Sequence, residues 1–376
     1  MTQQAEKNAA TGAPPTAPPQ RRKGLRRWVP RSTFGRHGLA ALAGLVGVLL
    51  VLELTSPFIN SQFATMSYYA IAAVGLTVLT GLNGQISLGH GALMAVGAYA
   101  TGLLYTGQGG LPLPVVMLIA AVLTALVGVV VGAAAARLHG PYLAGATLAL
   151  AVAVPGLAIF FDEQLGGEQG LRVTSPRVPD WFADTIYFIS ANDTPGAKFL
   201  AYIGWATLLV VLLLLANLKT GRVGRVWRAV RDDEVAAELA GIALGRARVV
   251  AFVVSAFCAG LGGAVLGIVV RLAAPAGFTI VLSLGLLTAV VLGGLGSFTG
   301  ALLGSALLVF LPPAVTDLGT GIGLDATQAA QLAPFVYGVV LVLVMLLAPA
   351  GAVGVVRKVW QRARRAPHGS QSRRTA

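Results

Sequence analysis

The chain has 376 residues, of which 56% are hydrophobic and only 11% are charged. A soluble domain carries roughly 25% charged residues, so this chain has too few to cover a water-facing surface and is predicted to lie in lipid. Its net charge of +13 could suggest a nucleic-acid partner, but the basic residues concentrate at both termini and in one internal loop, which argues against nucleic acid.

Residues 1–37 differ in composition from the rest of the chain. Ala, Pro, Thr and Gln dominate their start, and a basic cluster extends from Arg21 to Arg36. Such a segment buries too little apolar surface to offset the entropy lost on ordering, so it is predicted to be disordered. A cleaved signal peptide is the alternative. The apolar run that follows has no clean small-residue cleavage site, which favours a retained first helix.

Long apolar runs make up most of the remaining chain. A helix that crosses about 30 Å of hydrocarbon needs about 20 largely apolar residues. The runs predict crossings at 38–54, 62–82, 88–106, 114–136, 141–161, 199–217, 249–270 and 333–350, and two shorter crossings within 279–311. We therefore predict an all-α polytopic membrane protein with about ten transmembrane helices in a membrane domain at 38–356, and a basic tail at 357–376. Nine crossings is the alternative.

Two glycine-rich segments interrupt these runs. The first, Gly81–Gly102, carries Asn83, Gln85, Ser87 and His90, and polar side chains in lipid seek partners or water. We predict a water-accessible path there; helix packing beside a polar loop is the alternative, and it explains the glycines better than the polar groups. The second, Leu292–Gly304, is predicted to face the protein centre, because non-helical backbone at membrane depth must be buried or line a cavity.

The loop at 218–248 is basic and contains a predicted amphipathic helix at 232–241. Asp232 is a suitable N-cap, and Gly241 can supply a left-handed stop. Val235 and Leu239 lie four residues apart on one helical face. The residues alone leave two functions open: a surface that docks a partner, or a helix that lies under anionic lipid headgroups.

The distribution of Lys and Arg predicts the orientation of the chain. With ten crossings and a cytoplasmic N-terminus, 23 of the 27 basic residues fall in cytoplasmic segments, as the positive-inside rule requires. The loop at 162–198 is instead acidic and is predicted to be extracytoplasmic. Both termini and the loop at 218–248 are then cytoplasmic.

The predicted crossings contain few groups that could drive transport or catalysis. Glu53 is predicted to lie at the outer interface and His90 to be packed or to line the path, so ion coupling is poorly supported. The chain has no Gly-Lys dipeptide and therefore no phosphate-binding loop of the common kind. His37, His90, His139, His368 and Cys258 show no metal-ligand spacing, so neither a metal site nor an enzyme is predicted.

The two glycine-rich segments, the loop helix and Gly140–Ala149 together resemble the branched-chain amino-acid ABC permeases, specifically their second, LivM-type, permease subunit. The resemblance covers about residues 60–350. It implies a plasma (inner) membrane importer with a second related permease subunit, two ABC ATPase subunits that bind ATP–Mg, and an extracytoplasmic substrate-binding protein. No cofactor is expected in this chain itself. Leucine, isoleucine and valine are the implied substrates.

Two sets of functional residues are predicted, the first from the resemblance and the second from the small and polar residues of the glycine-rich segments and of Gly140–Ala149. The set that couples to the ATPase is Arg231, Asp232, Asp233, Glu234, Val235, Ala236, Ala237, Glu238, Leu239 and Gly241. The set that lines the translocation path is Asn83, Gln85, Ser87, His90, Gly91, Tyr142, Thr147, Gly293, Gly294, Gly296 and Ser297. The alternatives are urea, a short amide or another amino acid as substrate, a stand-alone ion-coupled carrier, and a membrane scaffold that transports nothing.

Overall fold

The computed structural model describes residues 33–107, 110–138, 141–347, 351 and 353–354. The predicted disordered segment as far as residue 32, and the basic tail at 357–376, therefore lie outside the described residues. The helix that follows the predicted disordered segment begins at Thr33, so the predicted boundary at residue 37 lies inside it.

Helices account for most of the first half of the described chain. They are α1 (Thr33–Leu54), α2 (Pro57–Leu76), α3 (His90–Leu104), α4 (Leu113–Ala135) and α5 (Pro141–Phe160). A π-helical turn, Thr77–Leu82, extends α2. The connection after α5 contains helix α6 (Asp162–Leu165), a 3₁₀ turn (Gly167–Gln169), strand β1 (Leu171–Arg172) and helix α7 (Asp180–Ser190).

The second half repeats long helices with one two-residue strand. Its elements are α8 (Gly196–Thr220), α9 (Arg222–Asp232), α10 (Glu234–Leu239), α11 (Leu244–Val270), β2 (Leu272–Ala273), a 3₁₀ turn (Pro275–Phe278), α12 (Ile280–Gly293), α13 (Phe298–Gly321) and α14 (Ala326–Leu347). β2 pairs antiparallel with β1, with Leu171 opposite Ala273. This small two-stranded sheet is the part of the fold that an all-helical prediction omits.

The predicted helical membrane fold is confirmed. Eight helices among the described residues are long and apolar enough to cross a membrane. α3, with 15 residues, and α14, with 22, occupy two further predicted crossings, so ten is an approximate count. The long run at 279–311 is divided as predicted, with α12 ending at Gly293 and α13 beginning at Phe298.

α11 lies at the centre of the bundle and packs against α2, α3 and α4. Glycines make this close approach possible. A Cβ atom built on Gly263 would lie 1.9 Å from the Met94 carbonyl oxygen, and one on Gly97 would lie 2.2 Å from the Gly260 carbonyl oxygen. Small residues let helix backbones touch in lipid, where helix association depends on packing rather than on the hydrophobic effect.

Contacts between distant segments define two ends of the bundle. At one end, which we call the α9–α10 end, Lys219 donates a hydrogen bond to the Gly296 carbonyl over 2.6 Å. At the other end, which contains the paired strands and which we call the β1–β2 end, Lys198 forms an ion pair with Glu53 at 2.5 Å. Residues separated by more than 70 positions thus meet at each end, as alternating crossings require.

Candidate functional site

The first broken segment enters the bundle from the α9–α10 end. After the π-helical turn, the chain is not helical until His90, and Gly84 turns it with a φ of +79°. His90 contacts Ser255, which lies 11 residues into α11, roughly 16 Å from the start of that helix. α3 therefore begins inside the bundle and not at its surface. The predicted crossing at 88–106 is a 15-residue helix preceded by a non-helical segment that enters the bundle.

Hydroxyl side chains from three helices surround the start of α3. Thr147 on α5 accepts a hydrogen bond from the Leu88 amide at 3.0 Å, and Ser283 on α12 accepts one from the Gly91 amide at 2.9 Å. Ser255 on α11 lies 3.3 Å from His90 Nε2. We call Ser87, His90, Thr147, Ser255 and Ser283 the central polar cluster; all five are buried.

Sequence reasoning selected three members of this cluster and missed Ser255 and Ser283. Both are hydroxyls in largely apolar runs, and both are fully buried. A helical hydroxyl in such a run commonly bonds to its own backbone, so its identity alone gives no signal. Ser255 instead donates to the carbonyl of Gly75 on α2 at 2.8 Å, a contact that only the fold establishes.

Three predicted path residues carry polar atoms without a hydrogen-bond partner among the described residues. They are both amide atoms of Asn83, both amide atoms of Gln85, and Nδ1 of His90. These side chains are 2%, 6% and 0% exposed. A buried polar group without a partner is costly, so these atoms are suited to receive water or a polar solute. They follow one stretch of chain from the α9–α10 end to the central polar cluster.

The glycines of the second broken segment let backbone segments pack closely against one another. A Cβ atom on Gly293 would lie 1.9 Å from the Gly300 carbonyl oxygen, and one on Gly81 would lie 2.2 Å from the Gly296 amide nitrogen. Gly294 and Gly296 have positive φ values of +113° and +78°. Ser297 caps α13 by accepting a hydrogen bond from the Gly300 amide at 3.1 Å.

Tyr142, also assigned to the path from sequence, does not join the central polar cluster. It lies in the first turn of α5 and is 76% exposed on the isolated chain. The residues predicted for one path therefore fall into a central group, a packing group at the α9–α10 end, and an exposed aromatic.

The loop predicted to contain one helix at 232–241 contains the junction of two. Asp232 ends α9, so it is not the N-cap; Asp233 is the N-cap of α10, and its side chain accepts a hydrogen bond from the Ala236 amide at 3.0 Å. The predicted stop is correct in kind, since Gly241 has a φ of +83°. Asp232 and Asp233 are equivalent by residue type, and the preceding helix decides between them.

α10 has one face against the bundle and one face free. Ala237 is 3% exposed, while Val235 and Leu239 are 68% and 85% exposed. Glu234 holds the start of α10 to α11 through an ion pair with Arg248 at 2.7 Å. Ala236 and Glu238, the other predicted coupling residues, are also exposed. α10 is thus a short, anchored helix with two large apolar side chains on its outer face.

α9 is strongly amphipathic and is fixed to the bundle by its apolar side. Trp227 is 1% exposed and donates from Nε1 to the Ala247 carbonyl at 3.1 Å, and Val230 is 1% exposed beside it. From the last turn of α9, Arg231 donates to the carbonyl of Gly81. The basic loop is therefore in direct contact with the first broken segment.

Glu53, which was predicted to lie at the outer interface, has two hydrogen-bond partners on α8. It accepts hydrogen bonds from Lys198 and from the Tyr202 hydroxyl, each at 2.5 Å, and its side chain is 13% exposed. The Lys198 side chain is 4% exposed. This pair connects α1 to α8 at the β1–β2 end. Among the described residues, no group of three or more His, Cys, Asp or Glu side chains could hold a metal ion.

Comparison with known proteins decides the family. The family model for the permease component of the branched-chain amino acid transport system matches residues 58–345. The chain belongs to this family. It is 31% identical to the high-affinity branched-chain amino acid transport system permease protein LivM of Salmonella typhimurium, over 82% of this chain and 74% of that protein. LivM of Escherichia coli K12 is 30% identical over the same shares.

The second type of permease in this family is more distant. LivH of Salmonella typhimurium is 28% identical over 77% of this chain and 92% of its own length. The predicted resemblance to the branched-chain amino acid permeases, and to their LivM type, is thereby confirmed. No solved structure matches the chain significantly.

Proposed function

We propose that this chain is one of two related permease subunits of an ATP-driven importer that carries leucine, isoleucine and valine across the plasma (inner) membrane. The names of its relatives support this assignment, since LivM and LivH are both permease proteins for branched-chain amino acids. Two separate ATPase subunits bind ATP–Mg and hydrolyse it, and an extracytoplasmic binding protein delivers the substrate. This chain itself catalyses no reaction.

The exposed face of α10 is the observation that carries the proposal. Val235 and Leu239 are large apolar side chains on a helix that is otherwise anchored to the bundle. Two such side chains suit a small groove in a partner, since buried apolar anchors contribute most of the energy of an interface. In our proposal α10 is the helix that receives the stroke of the ATPase.

The orientation that we propose places the α9–α10 end and both termini in the cytoplasm. The excess of Lys and Arg at the termini and in the loop at 218–248 supports it, because such residues stay on the cytoplasmic side. The β1–β2 end, with the acidic loop at 162–198, then faces the binding protein. The substrate moves from the β1–β2 end through the central polar cluster towards Gln85 and Asn83.

Reconstitution tests the proposal. The purified complex of this chain with its partner permease, two ATPases and binding protein is placed in liposomes with ATP inside, and leucine uptake is measured. We expect ATP-dependent uptake that requires the binding protein. Uptake of urea or a short amide without leucine would contradict the substrate assignment. Uptake driven by an imposed proton or sodium gradient without ATP would contradict the ABC mechanism and support an ion-coupled carrier.

A further inference from the structure

The two broken segments meet at the α9–α10 end of the bundle. Gly81 and Gly296 are in backbone contact, since a Cβ atom on Gly81 would lie 2.2 Å from the Gly296 amide nitrogen. Gly84 and Gly296 adopt left-handed φ values of +79° and +78°, which glycine accepts at little cost. The two backbones therefore touch directly, with no side chain of either segment between them.

Two basic side chains from the loop at 218–248 hold this contact. Arg231 donates to the Gly81 carbonyl, and its Cγ would lie 3.1 Å from a Cβ atom on Gly84. Lys219 donates to the Gly296 carbonyl over 2.6 Å, with its ammonium 4.9 Å from the centre of the Phe298 ring. Each broken segment thus has one charged donor on its backbone, and charged donors form the stronger hydrogen bonds.

The position of Arg231 joins this contact to α10. Arg231 lies two residues before Asp233, the N-cap of α10, and in the last turn of α9. Trp227, one turn before Arg231 on the same face of α9, and Val230 are buried against the bundle. A displacement of α10 can therefore reach the Gly81 carbonyl through Arg231.

The chain beyond Gly81 leads to the proposed path. Asn83 and Gln85 follow with buried amide groups that have no partner among the described residues, and then Ser87 and His90 enter the central polar cluster. Movement of the Gly81–Gly84 backbone would change what these amides can reach. A tether at Gly81 is thus placed to control the cytoplasmic end of the path.

We propose that Arg231 is a positioning residue that couples α10 to the first broken segment, with Lys219 holding the second. In this structure the two donors hold Gly81 and Gly296 together. The movement that the ATPase imposes on α10 then displaces Gly81 through Arg231. This inference rests on the proposed importer function. It assigns the link between the ATPase-docking helix and the path to one side-chain-to-backbone contact.

The test compares Arg231→Met with Arg225→Met in the reconstituted complex. Met keeps an unbranched stem but has no donor, and Arg225 is an exposed arginine on the same helix that touches neither glycine segment. ATP hydrolysis and leucine uptake are measured together, with subunit assembly checked by size-exclusion chromatography. For Arg231→Met we expect assembly as in the wild type, and about tenfold or more ATP hydrolysed per leucine carried. Arg231→Lys should recover part of the coupling.

A second measurement follows the broken segment itself. Ile86 is 52% exposed, so Ile86→Cys in a Cys258→Ala background can be labelled with a maleimide. Its labelling rate should change on nucleotide trapping in the otherwise wild-type complex, and that change should be lost with Arg231→Met. This readout does not depend on how well Arg231→Met transports.

The outcomes separate this inference from the importer function. If the wild-type complex imports leucine with ATP, and Arg231→Met shows the wild-type ATP-to-leucine ratio and labelling change, Arg231 does not couple the two elements. If Arg225→Met uncouples as strongly as Arg231→Met, loss of loop charge is the cause and the inference is wrong. Failure of the wild-type complex itself would instead overturn the proposed function.

Discussion

Gly263 faces the backbone of α3 at a distance that leaves no room for a side chain. A methyl group there would lie 1.9 Å from the Met94 carbonyl oxygen, which cannot move without shifting the helix. Gly47, on α1, has open space around the same position. The two glycines look alike in the sequence, and only the fold separates a packing glycine from an unconstrained one.

We expect Gly263→Ala to destabilise the protein and Gly47→Ala to leave it as stable or more stable. Overpacking costs about 1–3 kcal/mol, whereas Ala in place of Gly at an open helix position gains up to about 1 kcal/mol. Thermal melting of the detergent-purified chain, followed by fluorescence-detected chromatography, measures the difference. Equal melting temperatures for the two variants would contradict the close packing of α11 on α3.

The Glu53–Lys198 pair gives a second prediction for single residues. Its partners are 13% and 4% exposed, so removing one leaves a buried charge without compensation. We expect Glu53→Gln or Lys198→Met to lower the free energy of unfolding by about 3–5 kcal/mol, and the double variant Glu53→Leu/Lys198→Leu to lower it less. Chemical denaturation of the three variants measures this non-additivity. Additive losses would indicate that the two side chains act independently.

α10 has only six residues and is too short to cross a membrane, yet its two large apolar side chains, Val235 and Leu239, are exposed. We expect Leu239→Asp to leave membrane insertion unchanged and to reduce substrate-stimulated ATP hydrolysis at least about tenfold, since interface anchors typically contribute 1–3 kcal/mol or more. Leu239→Met, which keeps a large apolar side chain at the same position, is the matched control. ATPase assays in proteoliposomes with binding protein measure both.

The lipid-headgroup interpretation predicts a different pattern. A helix that lies on anionic lipid would tolerate Leu239→Asp, and it would lose activity gradually as Arg225, Arg228 and Arg231 are neutralised. Full substrate-stimulated hydrolysis in Leu239→Asp would therefore contradict the docking function of α10.

The elements that the sequence predicts well are those fixed by composition alone. Apolar length predicts the long helices, and the glycines at 293–300 predict the break between α12 and α13. The division of the loop helix depends on a choice between Asp232 and Asp233, which are equivalent by residue type. Two other features need contacts between distant segments: the start of α3 inside the bundle, and the pairing of β1 with β2. Neighbouring residues do not encode these contacts, so patterning could not predict them.

The candidate site follows the same rule. His90 and Thr147 could be selected because polar residues are unusual in apolar runs and the family resemblance marked them. Ser283 accepts a hydrogen bond from the amide of Gly91, which lies 192 positions earlier in the chain. Nothing near Ser283 in the sequence indicates this contact. The glycines of the second broken segment were assigned to the path by type, and this assignment stays a prediction. Their close backbone contacts show a role in packing that residue type did not indicate.

The whole molecule has two ends that differ in charge, which gives a test of its orientation. We expect a cysteine at Glu168, in the acidic loop, to react with an impermeant maleimide in intact cells, and one at Ser370, in the C-terminal tail, to react only after permeabilisation. Cys258→Ala provides the cysteine-free background. Labelling of Ser370→Cys but not of Glu168→Cys in intact cells would reverse the proposed topology.

The distribution of charge over the whole molecule also bears on the substrate. The ion pairs among the described residues lie at the two ends of the bundle, Glu53–Lys198 at one and Glu234–Arg248 at the other, while the central polar cluster consists of hydroxyls and one imidazole. A solute with net charge would lack a compensating partner there, and such a charge costs several kcal/mol at membrane depth. A zwitterion without net charge, such as leucine, suits this path.

We therefore expect Ser283→Asp to reduce leucine uptake about tenfold or more relative to Ser283→Asn. The two replacements have nearly the same shape and differ in charge, so the comparison removes the steric effect of filling the space beside Gly91. Both variants receive substrate from the same binding protein, so its selectivity cannot produce the difference. ATP-dependent uptake of labelled leucine in proteoliposomes measures it, with arginine and glutamate as further solutes. Equal leucine uptake by the two variants, or faster uptake of arginine or glutamate than of leucine by the wild-type complex, would contradict a path selective for solutes without net charge.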